Sequence, residues 1–135
     1  MGAYAEYVKV PAMATEIIPD GLDFATATIV ARHAPTAFYL LRDKAKMATA
    51  EWILITGATC GLGSLGVQAA KLLGCKVIAA GAADRVQAAV ELGADAGIVY
   101  RSHDIEAEVK AITCGHGVDV VFDNVGDPKS FPSLV

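Results

Sequence analysis

Glu51-Trp52-Ile53-Leu54-Ile55-Thr56, followed by Gly57-Ala58-Thr59-Cys60-Gly61-Leu62-Gly63, is the stretch whose reading decides the fold of this chain. Ile53-Leu54-Ile55 is a β-branched and aliphatic run flanked by polar residues and a glycine, which predicts a short buried strand. The seven residues after Thr56 are small enough for a tight turn. From Leu62 onward the apolar residues Leu62, Leu65, Ala69 and Leu72 share one face of a predicted helix, and Gly74 ends it in the C′ position. Strand, glycine-rich turn and helix in that order form the phosphate-binding start of a dinucleotide fold. Free N–H groups at a helix start point at whatever occupies the turn, and the helix dipole favours an anion there. A pyrophosphate is the expected occupant.

The glycines allow two registers. A literal G-x-G-x-x-G lies at Gly61, Gly63 and Gly66, but it starts well after the strand and ends inside the helix. The register that starts where the strand stops is Ala58, Cys60 and Gly63, with Gly57 and Gly61 as further small positions, and it is preferred. It puts Cys60 where a glycine normally lets backbone approach the phosphates, so the thiol has to turn aside. The bland alternative is a tight strand-to-helix turn with no ligand.

Working outward, residues 2–11 alternate loosely, with Tyr4, Val8 and Val10 among β-formers, and resemble a strand that needs a sheet to join. Asp23 can cap a short helix carrying Phe24, Ala27 and Ala31 on one side. Pro35 is expected to interrupt it, and a second helix over 36–46 to bury Phe38, Leu41 and Ala45. Beyond the central unit, 76–80 is a second buried strand, 84–92 a helix closed by Gly93, and 97–100 a third strand. Ser102 or Asp104 caps a helix with Ile105, Val109 and Ile112 on one face, and 118–123 is the fourth strand. Strands alternating with helices at this spacing imply a parallel sheet with right-handed crossovers. The expected fold is α/β, a Rossmann-type doubly wound parallel sheet, incomplete, with about four strands in the order 3-2-1-4 and flanking helices.

With 135 residues, 54% of them hydrophobic, the chain is long enough for one domain with a real core. Its net charge of −4 comes from interspersed residues, so no field points to nucleic acid or to an anionic membrane. No apolar run approaches the roughly 20 residues of a membrane span, and a cytoplasmic location is expected. Cys60, Cys75 and Cys114 are odd in number and widely spaced, which suits free thiols rather than a disulfide framework or a zinc knot. His33, His103 and His116 share no helix face and read as surface histidines. No Ser/His/Asp or paired-carboxylate constellation supports hydrolysis.

Gly2-Ala3-Tyr4-Ala5-Glu6-Tyr7, Pro35-Thr36-Ala37-Phe38-Tyr39-Leu40-Leu41, residues 53–63, Leu92-Gly93-Ala94-Asp95 and residues 118–126 together resemble the medium-chain dehydrogenase/reductase superfamily. Within it the chain is most similar to the zinc-independent quinone oxidoreductase branch. Residues 56–63 also satisfy the short-chain reductase pattern T-G-x-x-x-G-x-G, but that family places its turn near the N-terminus and follows it with Tyr-x-x-x-Lys, which is absent here. The resemblance implies a chain cut at both ends: 1–19 as a remnant of a catalytic domain and its connection, 20–135 as a partial NAD(P)-binding domain. It also implies that the metal ligands of zinc-dependent relatives lie elsewhere, so no metal is assigned.

Carried over by this resemblance, Ala58, Thr59, Cys60, Gly61, Leu62 and Gly63 would hold the pyrophosphate. Thr36 would face the nicotinamide, or serve as a helix N-cap, or both. Asn124, Val125 and Gly126 would pass the nicotinamide ribose, or form an ordinary strand-end turn, and Tyr100 would pack near the adenine. An NAD-specific site needs a carboxylate near the end of the second strand, about 20 residues beyond the glycines. Ala80-Gly81-Ala82 stands there instead. Arg85 follows and could pair with a 2′-phosphate, so NADPH is expected over NADH. The competing reading of Arg85 is a solvated first-turn residue.

The expected activity is an NAD(P)H-dependent oxidoreductase that moves hydride to a quinone or an activated alkene, with the catalytic residues unassigned and little turnover from this segment alone. The alternative is a nucleotide-binding module or remnant without activity, which Cys60 favours. A homo-oligomer is expected, because an apolar fourth strand left at the sheet edge tends to pair.

Overall fold

A computed structural model describes residues 4–100 and 104–127 of the chain. Four parallel strands, β1 (Trp52–Thr56), β2 (Lys76–Gly81), β3 (Ala96–Val99) and β4 (Val120–Phe122), form one sheet in the order β3-β2-β1-β4. The expected order is therefore found. β1 pairs with β2 from Trp52↔Lys76 to Thr56↔Ala80, and with β4 from Ile53↔Val120 to Ile55↔Phe122.

The period-two alternation of the strands divides the core into two layers. Ile53, Ile55, Val77 and Ala79 face α1 (Phe24–Phe38), α2 (Gly61–Leu72) and α3 (Ala83–Glu91). Leu54, Ile78, Ala80 and Ile98 face α4 (Ile105–Ile112), through Ile105 and Val109. Helices on both faces make the sheet doubly wound, which is the Rossmann-type architecture read from the β/α alternation. Asp104 caps α4, its side chain accepting from the Glu106 and Ala107 amides. The other candidate cap, Ser102, lies outside the described residues, as does His103.

Several local expectations are corrected. Pro35 does not interrupt: α1 runs through it to Phe38 and continues as a π-helical segment, Tyr39–Lys44. The carbonyl of Ala31, which loses its N–H partner at Pro35, lies on an exposed stretch where water can satisfy it. Thr36 is consequently interior to a helix and is not an N-cap. Leu41 is buried, but Ala45 is exposed and Met47 is buried in its stead; Phe24, expected to face inward, is exposed. Residues 4–11, expected as a strand, form none.

The largest correction concerns α2. Ala69 is buried as expected, but Leu72 is 77% exposed, and the other buried residues of the helix are Gly63, Gly66, Val67 and Ala70. α2 is sandwiched between the sheet and α1, so its sheet face must be made of small residues. A Cβ on Gly66 would stand 2.7 Å from the Phe122 ring, and one on Gly63 would collide with the Gly57 carbonyl oxygen. Leu62 and Leu65 pack half-buried against the same core.

Candidate functional site

Parallel strands all deliver their following loops to one end of the sheet, and a cleft of about 330 Å³ lies there. Its lining comes from after each strand in turn: Gly57, Thr59 and Cys60 after β1, Gly81, Ala82 and Arg85 at and after β2, Tyr100 after β3, and Asn124 and Val125 after β4. β1 is the switch point, since the chain leaves it for β2 on one side and returns to β4 on the other. Open α/β sheets bind ligands in that crevice.

The turn after β1 is built around Gly57, whose φ of +57° is left-handed. A side chain there would also meet Val125 at 3.3 Å. Gly63 lets the first turn of α2 approach the end of β1, the role of the last small residue in the preferred register. Cys60 is the N-cap of α2, its Sγ accepting from the Gly63 N–H at 3.3 Å, so the thiol does turn aside. The Gly57 N–H donates to the Tyr100 hydroxyl at 3.2 Å. Among the described residues no protein group takes the N–H of Ala58, Thr59, Gly61 or Leu62, so four donors stand without a protein acceptor at the positive end of a twelve-residue helix. At α3 the N-cap is Ala82, without a side-chain cap, and Arg85 stands in the first turn, mostly exposed and 3.9 Å from Asp84.

Thr59, Cys60, Arg85, Tyr100, Asn124 and Val125 thus converge on one cleft, whereas Thr36 does not line it and lies exposed on α1. Ala58 and Gly63 are buried, Leu62 is half-buried, Gly61 and Gly126 are exposed, and none of the five lines the cleft. His33, half-buried, covers Gly61: a Cβ added there would stand 2.9 Å from its Nε2.

Two residues without an assigned role hold this end together. The Thr56 hydroxyl donates to Asp123, and the Asp123 carboxylate also accepts from the Val125 and Gly126 amides at 3.0 and 3.1 Å. The Thr56 hydroxyl bond, opposed by partial burial and helped by the two amides, holds the Asp123 carboxyl below its ordinary value of 3.8. The only sequence signal for this pair is a polar residue closing each of two apolar strands.

No helix among the described residues is long and apolar enough to cross a membrane. Nor do three His, Cys, Asp or Glu side chains converge there to hold a metal ion.

The profile of the zinc-binding dehydrogenase family matches residues 61–135. A quinone oxidoreductase of Salmonella typhimurium is 39% identical over 127 residues, covering 93% of this chain and 39% of its own. Among solved structures, a quinone oxidoreductase of Escherichia coli complexed with NADPH is 35% identical with a TM-score of 0.78, the alignment covering 87% of this chain and 36% of that one. An NAD-dependent alcohol dehydrogenase is 33% identical with a TM-score of 0.91, over 98% of this chain and 39% of that one. The chain therefore spans about two-fifths of the length of these relatives. A profile covering more than half of its residues, on a sheet wound in the expected order, makes this chain a member of the zinc-binding dehydrogenase family, in the quinone oxidoreductase-like branch of the medium-chain dehydrogenases/reductases.

Proposed function

We propose that the cleft binds a nicotinamide dinucleotide, with NADPH preferred to NADH, as the cofactor part of an oxidoreductase that delivers hydride to a quinone or an activated alkene. The observation that carries this reading is the set of open amides on Ala58, Thr59, Gly61 and Leu62 at the switch point of a parallel sheet. They are donors without acceptors, on the positive end of a helix dipole, beside a cleft large enough for part of a dinucleotide. The bound nicotinamide supplies the hydride, and the chain's own residues bind, orient and shield it.

The coenzyme preference rests on β2 ending at Gly81 with no carboxylate, and on Arg85 at the uncapped start of α3, where a 2′-phosphate would offset a cation placed beside the positive end of a dipole. Tyr100, lining the same side, is read as the wall of the adenosine half. The reading includes no metal. The largely exposed residues 4–19 are read as belonging to a catalytic domain and its connection, and residues 20–135 as part of the cofactor domain.

Fluorescence titration tests the reading. The chain is expected to bind NADPH about tenfold more tightly than NADH, and Arg85→Ala to erase that difference. No detectable binding of either coenzyme would sink it. Assembly is a separate part of the proposal: the outer edge of β4 has no strand partner among the described residues, and a second copy is expected to pair there. Light scattering that stays monomeric at high concentration would remove that part.

A further inference from the structure

The ladder between β1 and β4 stops at Ile55↔Phe122, one residue short of Thr56 and Asp123. Beyond it the two strand ends are joined by side chains. The Thr56 side chain is fully enclosed, the residue being 2% exposed. Its hydroxyl donates to Asp123 and accepts from the Asn124 N–H at 3.0 Å, and its carbonyl accepts from Asn124 Nδ2 at 3.0 Å. Asp123 then accepts from the amides of Val125 and Gly126. These bonds turn the chain sharply after β4 and press Val125 against Gly57, with Asn124 and Val125 facing the cleft.

We propose that Thr56 and Asp123 are positioning residues that set the β4 wall of the cleft, and so govern the half of the dinucleotide on that side of the pyrophosphate without touching it. This rests on the reading of the cleft as a dinucleotide site. The adenosine ribose is recognised at the end of β2, so the half beyond the pyrophosphate lies toward β4. A wall held by buried hydrogen bonds is preorganised, and a loosened wall must be ordered again when the ligand binds.

The test pairs Thr56→Val, which keeps the shape and removes the hydroxyl, with Thr56→Ser, which keeps the hydroxyl. The probes are NADPH and adenosine 2′,5′-bisphosphate, which carries only the adenosine half. Thr56→Val is expected to weaken NADPH roughly tenfold and leave the bisphosphate within about twofold, and Thr56→Ser to restore NADPH affinity. Unchanged NADPH binding by Thr56→Val, or equal weakening of both probes, overturns the clamp. If the unaltered chain binds neither probe, the cofactor reading itself has failed and the clamp falls with it. Asp123→Asn supplies a second variant should Thr56→Val fail to fold: faster amide exchange at Val125 and Gly126 without ligand, with the same split between probes, is expected, and native exchange rates overturn the proposal.

Discussion

The two ends of the sheet treat their polar groups in opposite ways. At the amino end, Asp119 accepts from the Trp52 N–H at 2.7 Å, and Asp95 accepts from the Val77 N–H at 2.7 Å and from Lys71 at 2.8 Å. Lys71 also donates to the Cys75 carbonyl, and Lys76 lies over the Trp52 ring. Backbone donors there are answered by carboxylates of the same chain. At the carboxyl end, Asp123 answers the amides of its own turn only, while four amides at the start of α2 are left open. The amino end is closed by the chain's own groups, and under the proposed function a bound ligand closes the carboxyl end. Carboxylates that cap backbone donors at one end, and a helix start left without acceptors at the other, divide the sheet into an end that holds the fold and an end proposed to bind.

Substitutions at the two ends should therefore fail differently. The largest effect is expected at Gly63→Ala. In an uncrowded helix this change stabilises by about 1 kcal/mol, but here the new methyl meets the Gly57 carbonyl, and a loss of about 2–3 kcal/mol together with loss of NADPH binding is expected. Denaturant titration showing a gain in stability would refute the close approach.

Asp95→Ala comes next. It leaves the buried Val77 amide without an acceptor and Lys71 without its ion pair, so a loss of about 1–3 kcal/mol is expected, with the NADPH dissociation constant unchanged. The same variant sharpens the comparison through pH. Burial raises the Asp95 carboxyl, but the Lys71 and Val77 bonds outweigh it and leave it below 3.8; Asp119 is lowered chiefly by the Trp52 amide. A folded pKa below the unfolded one contributes stability that is complete above the unfolded value and lost as pH falls through the folded value. Stability is therefore expected to fall below about pH 4, less steeply in Asp95→Ala, and an identical acid limb in both proteins would show that Asp95 is not involved.

Much of this was legible without coordinates. Strand and helix alternate in ways that short windows reveal, so all four strands and helices α2, α3 and α4 follow from residue pattern and turn chemistry, while the strand order was expected only as the usual one of this fold class. The cleft side chains after β1 and at the start of α3 were legible for the same reason, because their roles depend on near neighbours in sequence. Pro35 was not, since whether a proline breaks a helix depends on whether its orphaned carbonyl reaches water, which the environment of Ala31 settles. Leu72 misled because periodicity finds an apolar face but not which neighbour covers it.

What the sequence determined by itself was the local grammar: an apolar strand, a turn that demands small residues, a helix start with unanswered donors, and no carboxylate where β2 ends. What only the tertiary structure decided was every pairing between segments far apart in the chain. Thr56 and Asp123 are 67 residues apart, and their contact exists because β4 returns beside β1 in one register. The Tyr100 hydroxyl on Gly57 and the narrowness that α1 and the sheet impose on α2 have the same origin. Local preference is written in neighbouring residues, whereas register and close approach emerge only when the whole sheet has packed.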